Sequence, residues 1–236
     1  MRNRDDAAPP FMVSRRGMGV ALALTVLTAL VFGFFPDLDL AAAALFYLGD
    51  GHFAGVTPSG EALRRVFLYV PFAVLAGMAL LYGWRRAGLR QGTRPAWAPD
   101  GRGLAMMVLS LALGPGLLVN VGLKNHWHRP RPVQVTAFGG PDAFRPFDTR
   151  DGQCRRNCSF VSGEGSSSFW TVAPALLAPP PWRALALGAA LLFAAATGLL
   201  RMAFGGHFLS DTLFAALLTW FVIAATWALV FRRRVS

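Results

Sequence analysis

His207 and Asp211 stand four residues apart, so on a helix they share one face. A carboxylate beside an imidazole fixes its tautomer and raises its basicity, and the other ring nitrogen is then free to attack an electrophile. Three cations, Lys124, Arg131 and Arg201, stand at the edges of apolar stretches. Guanidinium forks match phosphate oxygens in pairs, and an ammonium acts as a point charge. Gathered without anions the three would repel one another, so their meeting place calls for a multiply charged anion. The stretch Val161-Ser162-Gly163-Glu164 opens a further apolar segment. The first N–H groups of a helix there are unpaired and bind anions; Gly163 permits close approach and the Ser162 hydroxyl adds a donor. An oxyanion cradle with a histidine at its edge is the apparatus of phosphoryl transfer through a phosphohistidine. Each part also has a plainer reading: a His–Asp pair closing a helix end, and basic side chains snorkelling at a membrane edge.

The elements that must position these groups are membrane helices. Only 15% of the 236 residues are charged and 54% are hydrophobic, against roughly 25% charged in soluble domains. Windows of about 20 mainly apolar residues are long enough to span a bilayer. They occur near residues 17–36, 66–84, 103–123, 184–200 and 208–231, with 161–182 as a sixth that is polar in its first half. The expectation is an all-α bundle of six spans forming one domain over 17–231, between tails 1–16 and 232–236. The 17–36 window is longer than the apolar part of a signal peptide, which reads as a retained span. Leu38–Leu48 reads as a short helix in the interface.

Arg2, Arg4, Arg15 and Arg16 precede the first window, while Asp37 and Asp39 follow it. That bias places the N-terminus in the cytoplasm and the loop after Lys124 outside it. The three polar clusters, around Lys124–Pro132, Ser162–Ser168 and Arg201–Asp211, then fall at one outer membrane–water boundary. Both cysteines of the chain, Cys154 and Cys158, lie in that loop. An oxidising compartment favours a disulfide between them, two free thiols being the alternative. Arg129, Arg145, Arg150, Arg155 and Arg156 make the loop basic, which suits a large anionic head group or simply a solvated loop.

The motifs together resemble the type 2 phosphatidic acid phosphatase superfamily, whose pattern is Lys-x6-Arg-Pro, Pro-Ser-Gly-His and Ser-Arg-x5-His-x3-Asp. Lys124, Arg131 and Pro132 match the first motif; Arg201, His207 and Asp211 match the third, with Leu200 in place of its serine. The resemblance covers about residues 60–231 and implies a metal-independent phosphatase with no cofactor. It implies that Lys124, Arg131 and Arg201 hold the phosphate with the backbone at Ser162 and Gly163, and that His207 is the nucleophile oriented by Asp211. The second motif departs, with Glu164 where the family has the histidine thought to protonate the leaving group. Glu164 is expected either to replace that acid, which requires a raised pKa, or to bind a positive or hydroxyl group. His126 and His128 are alternative proton sources, or ordinary interfacial residues.

The expected protein is a multi-pass enzyme of a bacterial inner membrane, its site facing the periplasm. Its partners would be a membrane lipid phosphate and the bilayer, with no nucleic acid. Candidate substrates are lipid A phosphates, undecaprenyl diphosphate, phosphatidylglycerol phosphate and phosphatidic acid, the basic loop leaning towards lipid A. A lipid phosphotransferase and a silent lipid-phosphate-binding protein are the alternatives. The intact Lys124, Arg131, Arg201, His207 and Asp211 weigh against silence.

Overall fold

The computed structural model describes residues 9–91 and 98–231, so the tail calls at 1–8 and 232–236, and Arg94 of the basic inner loop, lie outside the described residues. The chain is mainly helical. Among the described residues, five helices are long and apolar enough to cross a membrane: Arg15–Phe34 (α1), Pro58–Gly88 within a longer helix, Gly101–His126, Pro180–Ala203 (α8) and Leu209–Val230 (α9). Large apolar side chains such as Leu27, Leu80 and Leu192 point outward from them, as helices solvated by lipid require.

Local sequence sets the ends of these helices. Ser14 caps α1, its Oγ accepting from Gly17 N at 3.1 Å. The described end of the 1–16 segment packs against the bundle. Phe11–Val13 forms a 3-10 turn, Met12 and Val13 pack on the main core, and Trp220 Nε1 donates to Met12 O at 2.6 Å. Helix α3 covers Pro58–Gln91 and so starts eight residues before the expected 66. Thr57 Oγ1 accepts from Gly60 N at 3.0 Å, and Pro58 suits a first helical position. That early start brings Arg64 onto the helix.

Between α1 and α3 lie a short helix Asp37–Ala44 (α2) and a two-stranded hairpin, Tyr47–Gly49 (β1) and His52–Phe53 (β2). The predicted interfacial helix is therefore shorter than expected and gives way to strands. The third crossing is composite: α4 (Gly101–Leu111), a π-helical stretch Ala112–Leu123, and α5 (Lys124–His126). Pro115 within it has no N–H for the usual i−4 bond, and the wider turn accommodates the loss.

The segment expected as one span over 161–182 is two short helices, Gly163–Phe169 (α6) and Val172–Leu176 (α7). Pro174 again removes an N–H. The Trp170 carbonyl, which it would have served, accepts instead from Ala173 N at 2.8 Å. The pair is nonetheless deeply buried. Trp170 is fully enclosed and donates to Ser110 Oγ at 2.9 Å. With Met106, Met107, Val172, Leu176 and Ile223 it forms the largest core. Of the three serines, Ser166 bonds across to Thr219 of α9 at 2.6 Å and Ser168 returns to Gly165 O at 2.9 Å, as polar groups in an apolar bundle must.

Candidate active site

The three polar clusters are stitched together by backbone hydrogen bonds at one end of the bundle. Val133 N donates to Gly205 O at 3.0 Å, joining the first cluster to the third. Ser162 N donates to Asp211 O at 3.2 Å, joining the second to the third. Ser159 N donates to Arg129 O at 2.9 Å, closing the circuit. Helix α8 ends in a left-handed turn at Gly205 (φ +60°), where a Cβ would strike the Phe53 ring of β2. The turn reverses the chain within a few residues, so Arg201 on the last turn of α8 and His207 face the same space.

Two glycines keep that space open. A Cβ on Gly163 would lie 3.0 Å from Lys124 Nζ and 2.6 Å from Asn120 Oδ1. A Cβ on Gly206 would lie 2.9 Å from Arg201 Cζ. Lys124 and Arg201 thus press against the backbone at the start of α6 and just before His207. Arg201 is buried, and its Nε has no hydrogen-bond partner among the described residues; it sits 3.5 Å from Glu164 Oε1. A buried donor left unpaired is costly, and an anion in this space would satisfy it. Arg131 reaches Asn157 O through Nη2 and Nε at 2.8 and 3.2 Å, and Lys124 Nζ meets Asn157 Oδ1 at 3.3 Å. Burial, and next the Arg64 charge, pull the Arg131 pKa below its usual value. Asn157 belongs to the ring closed by a Cys154–Cys158 disulfide.

His207 is 1% exposed. Its Nδ1 lies 2.7 Å from Ser159 O; a carbonyl only accepts, so Nδ1 carries the hydrogen and Nε2 keeps its lone pair. The direct bond to Asp211 expected from the sequence is absent, the Nδ1–Oδ2 separation being 3.8 Å. Asp211 Oδ2 instead accepts from Ser159 Oγ at 2.5 Å and from Phe208 N at 2.8 Å. The carboxylate therefore holds the residue that orients the imidazole, and caps α9 as well. Burial lowers the His207 pKa to about 4 despite Asp211, so the ring is neutral at pH 7.

Ser162 Oγ accepts from Gly165 N at 3.1 Å as the cap of α6, so only its hydroxyl hydrogen remains for a ligand. Glu164 is gripped by Arg64, with Nη2–Oε1 at 2.8 Å and Nε–Oε1 at 3.1 Å. Sequence reasoning missed Arg64, which no motif names. It also misread Arg129. That residue is 0% exposed and bonds Asp39 and Asp211, each at 2.6 Å, so it does not belong to a head-group surface. The rest of the basic loop is at the surface: Arg145 pairs with Asp151 at 3.3 Å and Arg150 stacks over Trp127 at 4.3 Å. His126 is exposed, with Nδ1 2.6 Å from Gly122 O, and His128 turns its Nδ1 to Cys154 O at 2.9 Å.

Fold and site together define a multi-pass helical membrane protein with a cationic cradle beside a neutral histidine. The sequence model of the PAP2 superfamily matches residues 103–235, and the chain belongs to that superfamily. Among similar proteins, a lipid A 4′-phosphatase of Rhizobium etli is 36% identical over 213 residues, covering 84% of this chain and 81% of the relative. Lipid A 4′-phosphatases of Rhizobium leguminosarum and of Francisella tularensis subsp. novicida are each 34% identical, covering 84% and 86% of this chain and 90% of each relative. No solved structure matches the chain.

Proposed function

We propose that the protein is a membrane phosphatase that removes a phosphate monoester from a lipid A-type glycolipid, through a phosphohistidine on His207. A phosphatase activity is what superfamily membership and the three named relatives support; their extent along the chain favours lipid A over the other candidates. The observation that carries the mechanism is the neutral imidazole, Nδ1–H held by Ser159 O, in a site where Arg201 Nε lacks a hydrogen-bond partner among the described residues.

The phosphate sits among Lys124, Arg131 and Arg201, with the Gly163 and Ser162 backbone at its edge. His207 Nε2 attacks phosphorus; the N–P bond forms as the P–O bond to the lipid breaks. The positive charge left on the imidazole is met by Ser159 O and by the nearby Asp211 carboxylate. Glu164, ion-paired to Arg64, is a carboxylate and carries no proton to give. It orients Arg64 and Arg201, whose charges stabilise the departing oxygen while water protonates it. A second water then cleaves the N–P bond, releasing inorganic phosphate and restoring neutral His207. The protein would lie in a bacterial inner membrane with this site facing the periplasm. The Cys154–Cys158 disulfide suits that oxidising side. Segment α6–α7 would be the sixth, interrupted crossing of a single domain.

The test is phosphate release by purified protein from lipid A, undecaprenyl diphosphate, phosphatidylglycerol phosphate and phosphatidic acid, each with chelator present, beside His207→Ala. Release from lipid A by the wild type alone is expected. Transfer to a second lipid without free phosphate, loss of activity in chelator, or full activity in His207→Ala would each overturn the reading.

A further inference from the structure

Behind His207 lies a chain of buried charges in which Asp211 is joined by two residues, Asp39 and Arg129, that no motif names. Arg129 Nη2 donates to Asp39 Oδ2 and Nη1 to Asp211 Oδ1, both at 2.6 Å. Nη1 also meets Ser210 Oγ at 2.9 Å, and Nε meets Arg145 O at 2.9 Å. The guanidinium lies over the Phe208 ring at 4.4 Å. Asp39 in turn accepts from Ser210 N at 2.8 Å and from Ser210 Oγ at 2.6 Å. Asp39, Arg129, Ser159, Ser210 and Asp211 are all buried to within about one per cent.

Ion pairs this deep are poor stabilisers, because desolvating the charges cancels most of the attraction; apolar residues of similar shape would hold the fold as well. Their presence needs another reason, and position supplies one. With both carboxylates ionised, two share one guanidinium and the group carries one net negative charge; burial raises the Asp39 pKa, and the Arg129 charge opposes that rise. That charge sits on the Nδ1–H side of His207, which becomes positive when Nε2 takes a phosphoryl group. The same carboxylate that ends the chain holds Ser159 Oγ at 2.5 Å, and Ser159 O holds the imidazole at 2.7 Å. Asp39 lies on α2, ahead of the segment 103–235 that the superfamily matches, so the first part of the chain reaches into the site.

We propose that Asp39 and Arg129 are positioning residues for the nucleophile: with Asp211 they form a buried three-charge chain that fixes Ser159 and directs one net negative charge at the Nδ1 side of His207. This rests on His207 being the nucleophile of the proposed phosphatase.

A charge cycle separates this role from simple support of the fold. Asp39→Asn removes the net negative charge, Arg129→Gln doubles it, and the two together restore it. The Asp39→Asn variant is expected to lose about tenfold or more in kcat. Its KM and its inhibition by inorganic phosphate should stay within about twofold, because the cradle is untouched. The double variant, with the net charge restored, should exceed Asp39→Asn in kcat, and Arg129→Lys, which keeps the charge that holds Asp211, should retain more activity than Arg129→Gln. A purely structural role makes the double variant no better than the worse single one, and that result, or an unchanged kcat in Asp39→Asn, overturns the proposal. Carbethoxylation of His207 by diethyl pyrocarbonate, followed site by site by peptide mass spectrometry, reads the imidazole's nucleophilicity without any lipid. It should slow in Asp39→Asn and recover in the double variant. If the wild type releases no phosphate while this pattern holds, the phosphatase reading fails and the charge chain stands; equal carbethoxylation in all variants removes the charge chain.

Discussion

Gly206→Ala isolates the geometry of the cradle from its chemistry. Gly206 does not have the positive φ of Gly205, so its backbone admits alanine once the Arg201 carbonyl oxygen, 3.2 Å from the new Cβ, gives by a few tenths of an ångström. The new methyl would meet Arg201 Cζ at 2.9 Å, whereas carbon atoms rest at about 3.5–4.0 Å. The guanidinium, at the end of a flexible side chain, must retreat by about 1 Å. A displacement of that size in a group that positions substrate costs about a hundredfold, or about 2.7 kcal/mol of transition-state stabilisation. The measurement is kcat/KM for lipid phosphate release in detergent, with the inhibition constant for inorganic phosphate and the melting temperature. Activity should fall about a hundredfold and phosphate inhibition should weaken, with the melting temperature little changed. Gly188→Ala is the control, since a Cβ there meets nothing within 4 Å, and it should behave as wild type. A Gly206→Ala enzyme within about threefold of wild type would show that Arg201 does not touch the reacting phosphate, against the arithmetic above.

Three further outcomes follow. The folded His207 pKa of about 4 lies below the ordinary 6.5, so between these values the unfolded chain binds a proton that the folded one refuses. Stability contributed by the neutral ring therefore falls as pH drops through that window and levels below it; melting temperature against pH should slope more steeply for wild type than for His207→Gln, and equal slopes would contradict burial of a neutral imidazole. Glu164→Gln weakens the grip on Arg64 and should cost about tenfold at every pH, leaving the shape of the rate profile unchanged; a loss confined to the acidic side, where a general acid is protonated, would restore Glu164 as an acid. Cys154→Ser with Cys158→Ser should lower the melting temperature, since a cross-link constrains the unfolded chain. The same pair should raise KM several-fold with kcat nearly constant as Asn157 loosens from Lys124 and Arg131; wild-type KM would disconnect the ring from the cradle.

Much of the candidate site was legible because its charged groups sit at fixed spacings in short segments. Lys124, Arg131, Arg201, His207 and Asp211 are polar intrusions in an apolar sequence, and lipid leaves few reasons for such groups. What escaped were the partners supplied by distant segments. Asp39 beside Asp37 read as a topological charge, and Arg129 in a run of basic residues read as surface. A usable signal was there: Arg129 lies between His128 and Pro130, close to motif residues on both sides, where a snorkelling side chain has little freedom. Arg64 was obscured by the apolar window that began after it, whereas the Thr57 cap starts the helix earlier. The second-motif segment has the length of a span and an apolar second half, but Pro174 breaks its hydrogen-bond ladder, which hydropathy does not register. The His207–Asp211 spacing indicated proximity correctly. It could not show that the Ser159 carbonyl would take the Nδ1–H, because Ser159 reaches the ring only after the chain has folded.

The left-handed turn at Gly205 and the long reach of Arg129 also bear on synthesis. A nascent chain acquires Asp39 early and Arg129 midway, but Asp211 and His207 only as its last helix emerges. Until then Arg129 has one acid partner in place of two, and Arg201 faces no imidazole. Through most of translation Asp39 and Arg129 can form only a neutral pair, and the segment from His207 to Asp211 brings the imidazole and the net negative charge together in one step.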